Sequence, residues 1–134
     1  MEYLRARASF FWQEVEQHVA ALPSICKKKK KEQIYKIVVP FYNVERWIEK
    51  CIDSVQRQRY NVLECVLVDD ISSEKSFLMA QMLTWEASNF KVVKNDTKKF
   101  ALENIVMTIE DMDCDDEDII ILMDCDDWLA STTV

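Results

Sequence analysis

Three polar clusters in this chain have the residue types for chemistry. Asp124-Cys125-Asp126-Asp127 brings three carboxylates together, Asp69-Asp70 brings two, and Tyr42-Asn43 with Glu45 adds an aromatic face, an amide and a further carboxylate. Each cluster directly follows a short apolar run: 34–39 closed by Pro40, 62–68 (VLECVLV), and 119–123 (IIILM). Carboxylates gathered at such density raise one another's pKa or require a cation. Hard oxygen ligands suit Mg²⁺ or Mn²⁺, which keep waters and bridge to substrate phosphates. A plainer reading is that an Asp after a strand simply caps the next helix. It applies to Asp69-Asp70 more readily than to the cluster at 124–127, which follows a wholly apolar strand.

What would position these clusters is an alternation of strands and helices. Val44, Trp47, Ile48, Cys51, Ile52 and Val55 recur at amphipathic-helix spacing, with Asn43 as a plausible N-cap. Ser72 or Ser73 could cap a helix over 74–87, where Leu78, Met82 and Trp85 share a face. Residues 90–93 (FKVV) make a third strand. Leu102, Ile105, Val106 and Ile109 mark another helix. The fourth strand, 119–123, is expected to be buried on both faces. Strands alternating with helices imply βαβ units: an α/β fold with a Rossmann-like, mostly parallel sheet flanked by helices. In such a sheet every strand ends on one edge, and ligands bind in the crevice outside it. Tyr42, Asp69 and Asp126 should therefore converge on one pocket.

Composition narrows the function classes. The chain has 134 residues, 49% of them apolar, enough for one core. Seventeen Lys and Arg against 24 Asp and Glu give a net charge of −7, which disfavours a general nucleic-acid binder. No apolar run reaches the roughly 18 residues of a membrane span, and no signal peptide is visible. The five cysteines (Cys26, Cys51, Cys65, Cys114, Cys125) never fall in C-x-x-C spacing, so reduced thiols in a cytoplasmic compartment fit best. The lone His18 reads as a helix-face residue. Glycine is absent, where average usage of about 7% would give roughly nine. That excludes Gly-rich phosphate loops and leaves Asn, Asp and Ser to make the turns. The first 26 residues read as an N-terminal helix over 2–22 ended by Pro23. Residues 27–33 read as a Lys-rich, solvated linker, and 34–134 as the main domain. The acidic run 110–118 lacks EF-hand order and reads as a solvated loop.

Four blocks carry a resemblance: 36–45 (KIVVPFYNVE), 51–55 (CIDSV), 66–73 (VLVDDISS) and 122–129 (LMDCDDWL). In order and spacing they resemble family 2 glycosyltransferases of the GT-A fold, over about residues 34–130. The resemblance implies transfer of a sugar from a nucleoside-diphosphate sugar, commonly a UDP-sugar, to an acceptor hydroxyl with inversion. The acceptor, whether saccharide, lipid or protein, is not specified. By position, Pro40 and Tyr42 resemble the walls of a nucleobase site, with Tyr42 stacking on the base and Asn43 and Glu45 beside it. Asp69 resembles the carboxylate that accepts from the base N–H, with Asp70 beside it. Lys98 or Lys99, near Asn104, resembles the basic segment along the nucleotide. Asp124-Cys125-Asp126 is the D-x-D element: Asp126 is the first choice of Mn²⁺ or Mg²⁺ ligand, Asp124 serves the ribose or the metal, and Asp127 is a further candidate. A divalent cation there would stabilise the charge that develops on the leaving diphosphate.

The sequence departs from the family pattern at Ile71 and Cys125, where glycine is usual. Ile71 would sit in a turn that prefers a permissive residue. The resemblance also places the acceptor-binding half and the base carboxylate beyond Val134, so the expectation is a donor-binding half without transfer activity of its own. Two other classes fit less well: a receiver-type phosphoacceptor domain, and a non-catalytic nucleotide- or metal-binding module.

Overall fold

The structure, a computed structural model, describes residues 33–60 and 63–132. The expected N-terminal helix with His18, and the Lys-rich linker up to its last residue, lie outside the described residues. The elements run β1 (Tyr35–Phe41), α1 (Ile48–Gln56), β2 (Leu63–Asp69), α2 (Glu74–Thr84), β3 (Phe90–Lys94), α3 (Phe100–Asp111) and β4 (Ile119–Leu122). The four strands form one parallel sheet in the order β3-β2-β1-β4. The alternation read from the sequence is thus the α/β architecture observed.

The core lies mainly under α1. Ile37, Val39 and Phe41 of β1 and Cys65 and Leu67 of β2 alternate onto one sheet face. There they meet Ile48, Cys51, Ile52 and Val55 of α1 and Ala80 of α2. Val38, Val66 and Val68 are buried on the opposite face, where α3 packs against β1 and β2.

Several expectations need correction. Pro40 does not stop β1, which runs on to Phe41. The Val38 carbonyl accepts the Met123 N–H at 3.1 Å, so even-numbered β1 residues address β4. Pro40 lies past the last β1–β4 pair, Val38 with Leu122, and its missing N–H removes no ladder bond. β4 is not buried on both faces: Ile119, Ile120 and Leu122 are exposed, because β4 is an edge strand with a strand partner on one side only among the described residues. α1 starts at Ile48 rather than 44, and Asn43 does not cap it. In α2 the Leu78, Met82 and Trp85 face points outward, with Trp85 86% exposed. The buried face carries Ser76, Ala80 and Thr84, small side chains that let the helix approach α1 closely. In α3, Leu102 and Val106 are exposed while Asn104 and Thr108 are buried. The aliphatic pattern misled in both helices because polar residues serve the buried side. Thr84 and Thr108 satisfy their hydroxyls on the carbonyls of Ala80 and Asn104.

The acidic run is solvated except at its last residue. The Asp118 side chain is 3% exposed and accepts the N–H groups of Asp115 and Ile34. It lies 3.8 Å from the ammonium of Lys36, which is itself buried in β1 and 3.2 Å from Glu64. Burial works to lower the Lys36 pKa, but the Glu64 hydrogen bond and its charge outweigh it and hold the value above the usual lysine range. This cluster sits at the amino-terminal edge of the sheet. Among the described residues no helix is long and apolar enough to cross a membrane.

Candidate functional site at the carboxyl edge of the sheet

Because all strands are parallel, β1, β2 and β4 end on one edge and deliver the three predicted clusters there. β2 and β4 flank β1, so their ends stand two strand spacings apart, about 10 Å. The two sides of this edge are built differently.

On the β2 side the loops are stitched together. Asn43 takes a left-handed backbone (φ 52°), its N–H donates to Ser72 Oγ at 2.9 Å, and its Oδ1 accepts the Ser73 N–H at 2.7 Å. The Val44 N–H donates to Ser76 Oγ at 3.2 Å. The Ser73 hydroxyl donates to Glu45, a bond that holds the Glu45 carboxyl below its usual range. These contacts fix the β1–α1 loop against the β2–α2 loop and leave Tyr42 half-exposed at the rim.

Asp69 and Asp70 are both buried. Asp69 Oδ1 accepts the Ser72 N–H at 3.0 Å, and its Oδ2 has no partner among the described residues. Asp70 caps α3: Oδ1 accepts the Lys99 N–H at 2.8 Å and Asn95 Nδ2 at 3.0 Å, and Oδ2 accepts the Phe100 N–H at 2.9 Å. Burial pushes the Asp70 carboxyl up, but the bonds from the Lys99 N–H, Asn95 and the Phe100 N–H outweigh it and bring the value down to about 2. Lys98 Nζ lies 3.7 Å from Asp70 Oδ2 and 2.9 Å from the centre of the Tyr42 ring, a cation–π contact. The Lys99 side chain turns away toward Met107. Asn104 Oδ1 accepts Asn95 Nδ2 at 2.6 Å. Asn95, which the sequence reading did not single out, links Asp70 to Asn104. Its position immediately after β3 was the available signal.

On the β4 side, a turn closed by the Asp127 N–H on the Asp124 carbonyl (3.0 Å) turns Cys125 into the core and leaves Asp124, Asp126 and Asp127 exposed. One oxygen from each carboxylate falls within 4.8 Å of the others. None of the three takes a side-chain hydrogen bond or ion pair from a described residue. Pro40 lines a cavity of about 360 Å³ with Asp124, Asp127, Trp128 and Leu129. Trp128 is held by α1, its ring 3.1 Å from Lys50 Nζ. Three hard oxygen donors with no resident counter-cation fit a Mg²⁺ or Mn²⁺ ion.

The parallel four-stranded sheet with its three helices is an α/β domain of the GT-A type. The chain matches the family described as Glycosyl transferase family 2 over residues 36–134, and it belongs to that family. It is 39% identical over 57 residues to the uncharacterized glycosyltransferase EpsJ of Bacillus subtilis (strain 168), a match covering 42% of this chain and 17% of EpsJ. It is 26% identical over 66 residues to the glycosyltransferase GlyG of Streptococcus pneumoniae serotype 4, covering 49% and 22% of the two chains. The matched stretches thus cover less than a quarter of the length of each of these relatives. In fold it resembles S. aureus TarS 1–349 in complex with UDP-GlcNAc (TM-score 0.59, 22% identity, 72% of this chain and 27% of that one). It also resembles the mannosyltransferase PcManGT of Pyrobaculum calidifontis in complex with GDP-Man and Mn²⁺ (TM-score 0.67, 16% identity, 98% and 38%). The family assignment sets aside the receiver-type alternative.

Proposed function

We propose that this chain is the donor-binding portion of a glycosyltransferase that takes a nucleoside-diphosphate sugar, with a UDP-sugar the favoured donor and Mn²⁺ or Mg²⁺ bound alongside. The observation that carries the reading is the exposed trio Asp124, Asp126 and Asp127 on the same sheet edge as Tyr42. Support comes from the TarS complex with UDP-GlcNAc and the PcManGT complex with GDP-Man and Mn²⁺.

Each residue has a task in this reading. Tyr42 offers a flat face to the base once Lys98 leaves it, and Pro40 walls the neighbouring cavity. The end of β2 at Asp69-Asp70 meets the polar edge of the base. Lys98, freed from the ring, is a mobile positive charge for the diphosphate. Asp126, Asp124 and Asp127 hold the cation, which when bound offsets the negative charge developing on the departing diphosphate. The sugar then leaves the phosphate oxygen for an acceptor hydroxyl, with inversion. We place the protein in the cytoplasm, where nucleotide sugars are the available donors.

The test is a thermal-shift panel of nucleoside-diphosphate sugars, each with Mn²⁺ and with chelator. Stabilisation by UDP-sugars in Mn²⁺ is expected. A panel that leaves the melting temperature unchanged throughout would remove the reading.

A further inference from the structure

Two opposite sides of α2 are specialised. Ser76, Ala80 and Thr84 face the core. Directly opposite, Leu78, Met82 and Trp85 are 47%, 77% and 86% exposed. At 3.6 residues per turn these three fall within about 60° of one another, so they form one apolar stripe along the helix. Lys75 and Glu86 are also exposed, and the same spacing puts both on one flank of the stripe, Lys75 at its start and Glu86 at its end. A contiguous apolar stripe with a polar border on a water-facing side has the make-up of an interaction surface.

We propose that two copies of this chain associate through α2, packed antiparallel about a two-fold axis near residue 81. The order of the charges selects both the partner and its direction. A two-fold axis in the contact plane, perpendicular to the helix, reverses the second helix and keeps each flank on its own side. Lys75 then meets the partner's Glu86, and Leu78 meets the partner's Trp85. Symmetry repeats both pairs, so the one surface is complementary to itself in charge and in apolar character. A parallel arrangement would set lysine against lysine and glutamate against glutamate. Beside the second half of the stripe opens a cavity of about 580 Å³, lined by Met82, Leu83, Trp85 and Glu86 among others. In the antiparallel pair it faces the partner's Lys75 and the partner's Leu78, so the lysine stem has an apolar wall to lie on and its ammonium a carboxylate to reach.

The size of the surface sets the strength. A stable interface buries about 800 Å² per partner, more than one side of an 11-residue helix presents. The net charge of −7 also opposes the approach of two copies. Association is therefore weak and reversible, with a dissociation constant of about 10–100 µM.

The test uses the full chain in sedimentation equilibrium, from about 5 µM to 1 mM so as to bracket that range. The average mass should rise from that of one chain toward that of two, and hydrogen exchange at 78–86 should slow as concentration rises. A chain that stays monomeric throughout overturns the proposal. So does exchange at 78–86 that is already slow at the lowest concentration, because the chain would then cover its own stripe. Trp85→Glu should abolish association with an unchanged circular dichroism spectrum, since Trp85 is exposed in the single copy. Association that survives this change runs through another face and overturns the proposal. Lys75→Glu and Glu86→Lys each set like charges opposite one another twice, and each should weaken association roughly tenfold. The protein carrying both reversals should recover the parent affinity. Single reversals without effect, or a double reversal that recovers nothing, overturn the antiparallel arrangement.

Discussion

Two acidic segments flank β4, one at each end, and the molecule treats them in opposite ways. Before the strand, Asp118 is buried beside Lys36, and the loop from Asp113 is anchored on that same ammonium. After the strand, Asp124, Asp126 and Asp127 stand exposed and close together, with no ion pair to a described lysine or arginine. The first cluster is completed from within, so its charge is structural. The second has no such internal partner among the described residues, and we propose that it takes a divalent cation from outside. Acidic density alone does not separate the two cases. What separates them is whether a lysine from the adjoining strand reaches the carboxylates, and which edge of a parallel sheet they occupy.

The strongest way to break this contrast is to remove the internal cation. Lys36→Met leaves the Asp118 carboxylate buried without its partner and should cost about 3 kcal/mol in denaturant unfolding, with Mn²⁺ binding by the folded protein unchanged. Lost Mn²⁺ binding in a folded Lys36→Met protein would mean that the two clusters are not independent. Lys36 has a raised pKa when folded, so the stability it contributes is fully present below the unfolded lysine value and is lost only as pH rises through the higher folded value.

A second test addresses the β2 side of the same edge. Asp70→Ala removes the acceptor for two N–H groups at the start of α3 and for Asn95, and should destabilise by about 2 kcal/mol. Because the Asp70 carboxyl is lowered to about 2 in the folded protein, its contribution is present above the unfolded Asp value, about 3.9. It is lost as pH falls from there through about 2. The Asp70→Ala protein should therefore show less acid destabilisation over that window than the parent, which acid titrations of stability would detect.

The smallest effect sharpens the same side. Ile71 carries φ 61° directly after Asp70, an unfavourable conformation for a β-branched residue. Ile71→Gly should raise stability by about 1 kcal/mol without altering ligand preference. A destabilised Ile71→Gly protein would show that the Ile71 side chain contributes more than its backbone strain costs.

The strand alternation, the shared edge and the carboxylate trio were legible because each rests on a local pattern: apolar runs, the polar residues that end them, and parallel connection. The helix faces were less so. Leu78, Met82 and Trp85 share a helix face as read, yet it is the outer one, and close packing of α2 selected Ser76 and Ala80 for the buried side. The absence of glycine suggested turns built from Asn, Asp and Ser. Of the three described residues with positive φ, Asn43 fits that expectation, while Ile71 and Phe100 do not. At those two positions the capping bonds around Asp70 dominate local preference, which no local pattern reveals. The pairing of Asp70 with the start of α3, thirty residues away in sequence, was likewise invisible before the fold was known.

We propose that the cluster at 124–127 takes a divalent cation that the nucleotide shares. Calorimetric titration with UDP, in Mn²⁺ and then in chelator, tests it most directly. Binding is expected to be tighter in Mn²⁺ by roughly tenfold or more, with Asp126→Ala erasing that gain while keeping the chelator-state affinity. Equal affinity in Mn²⁺ and chelator, or an Asp126→Ala protein that keeps the full Mn²⁺ effect, would contradict it.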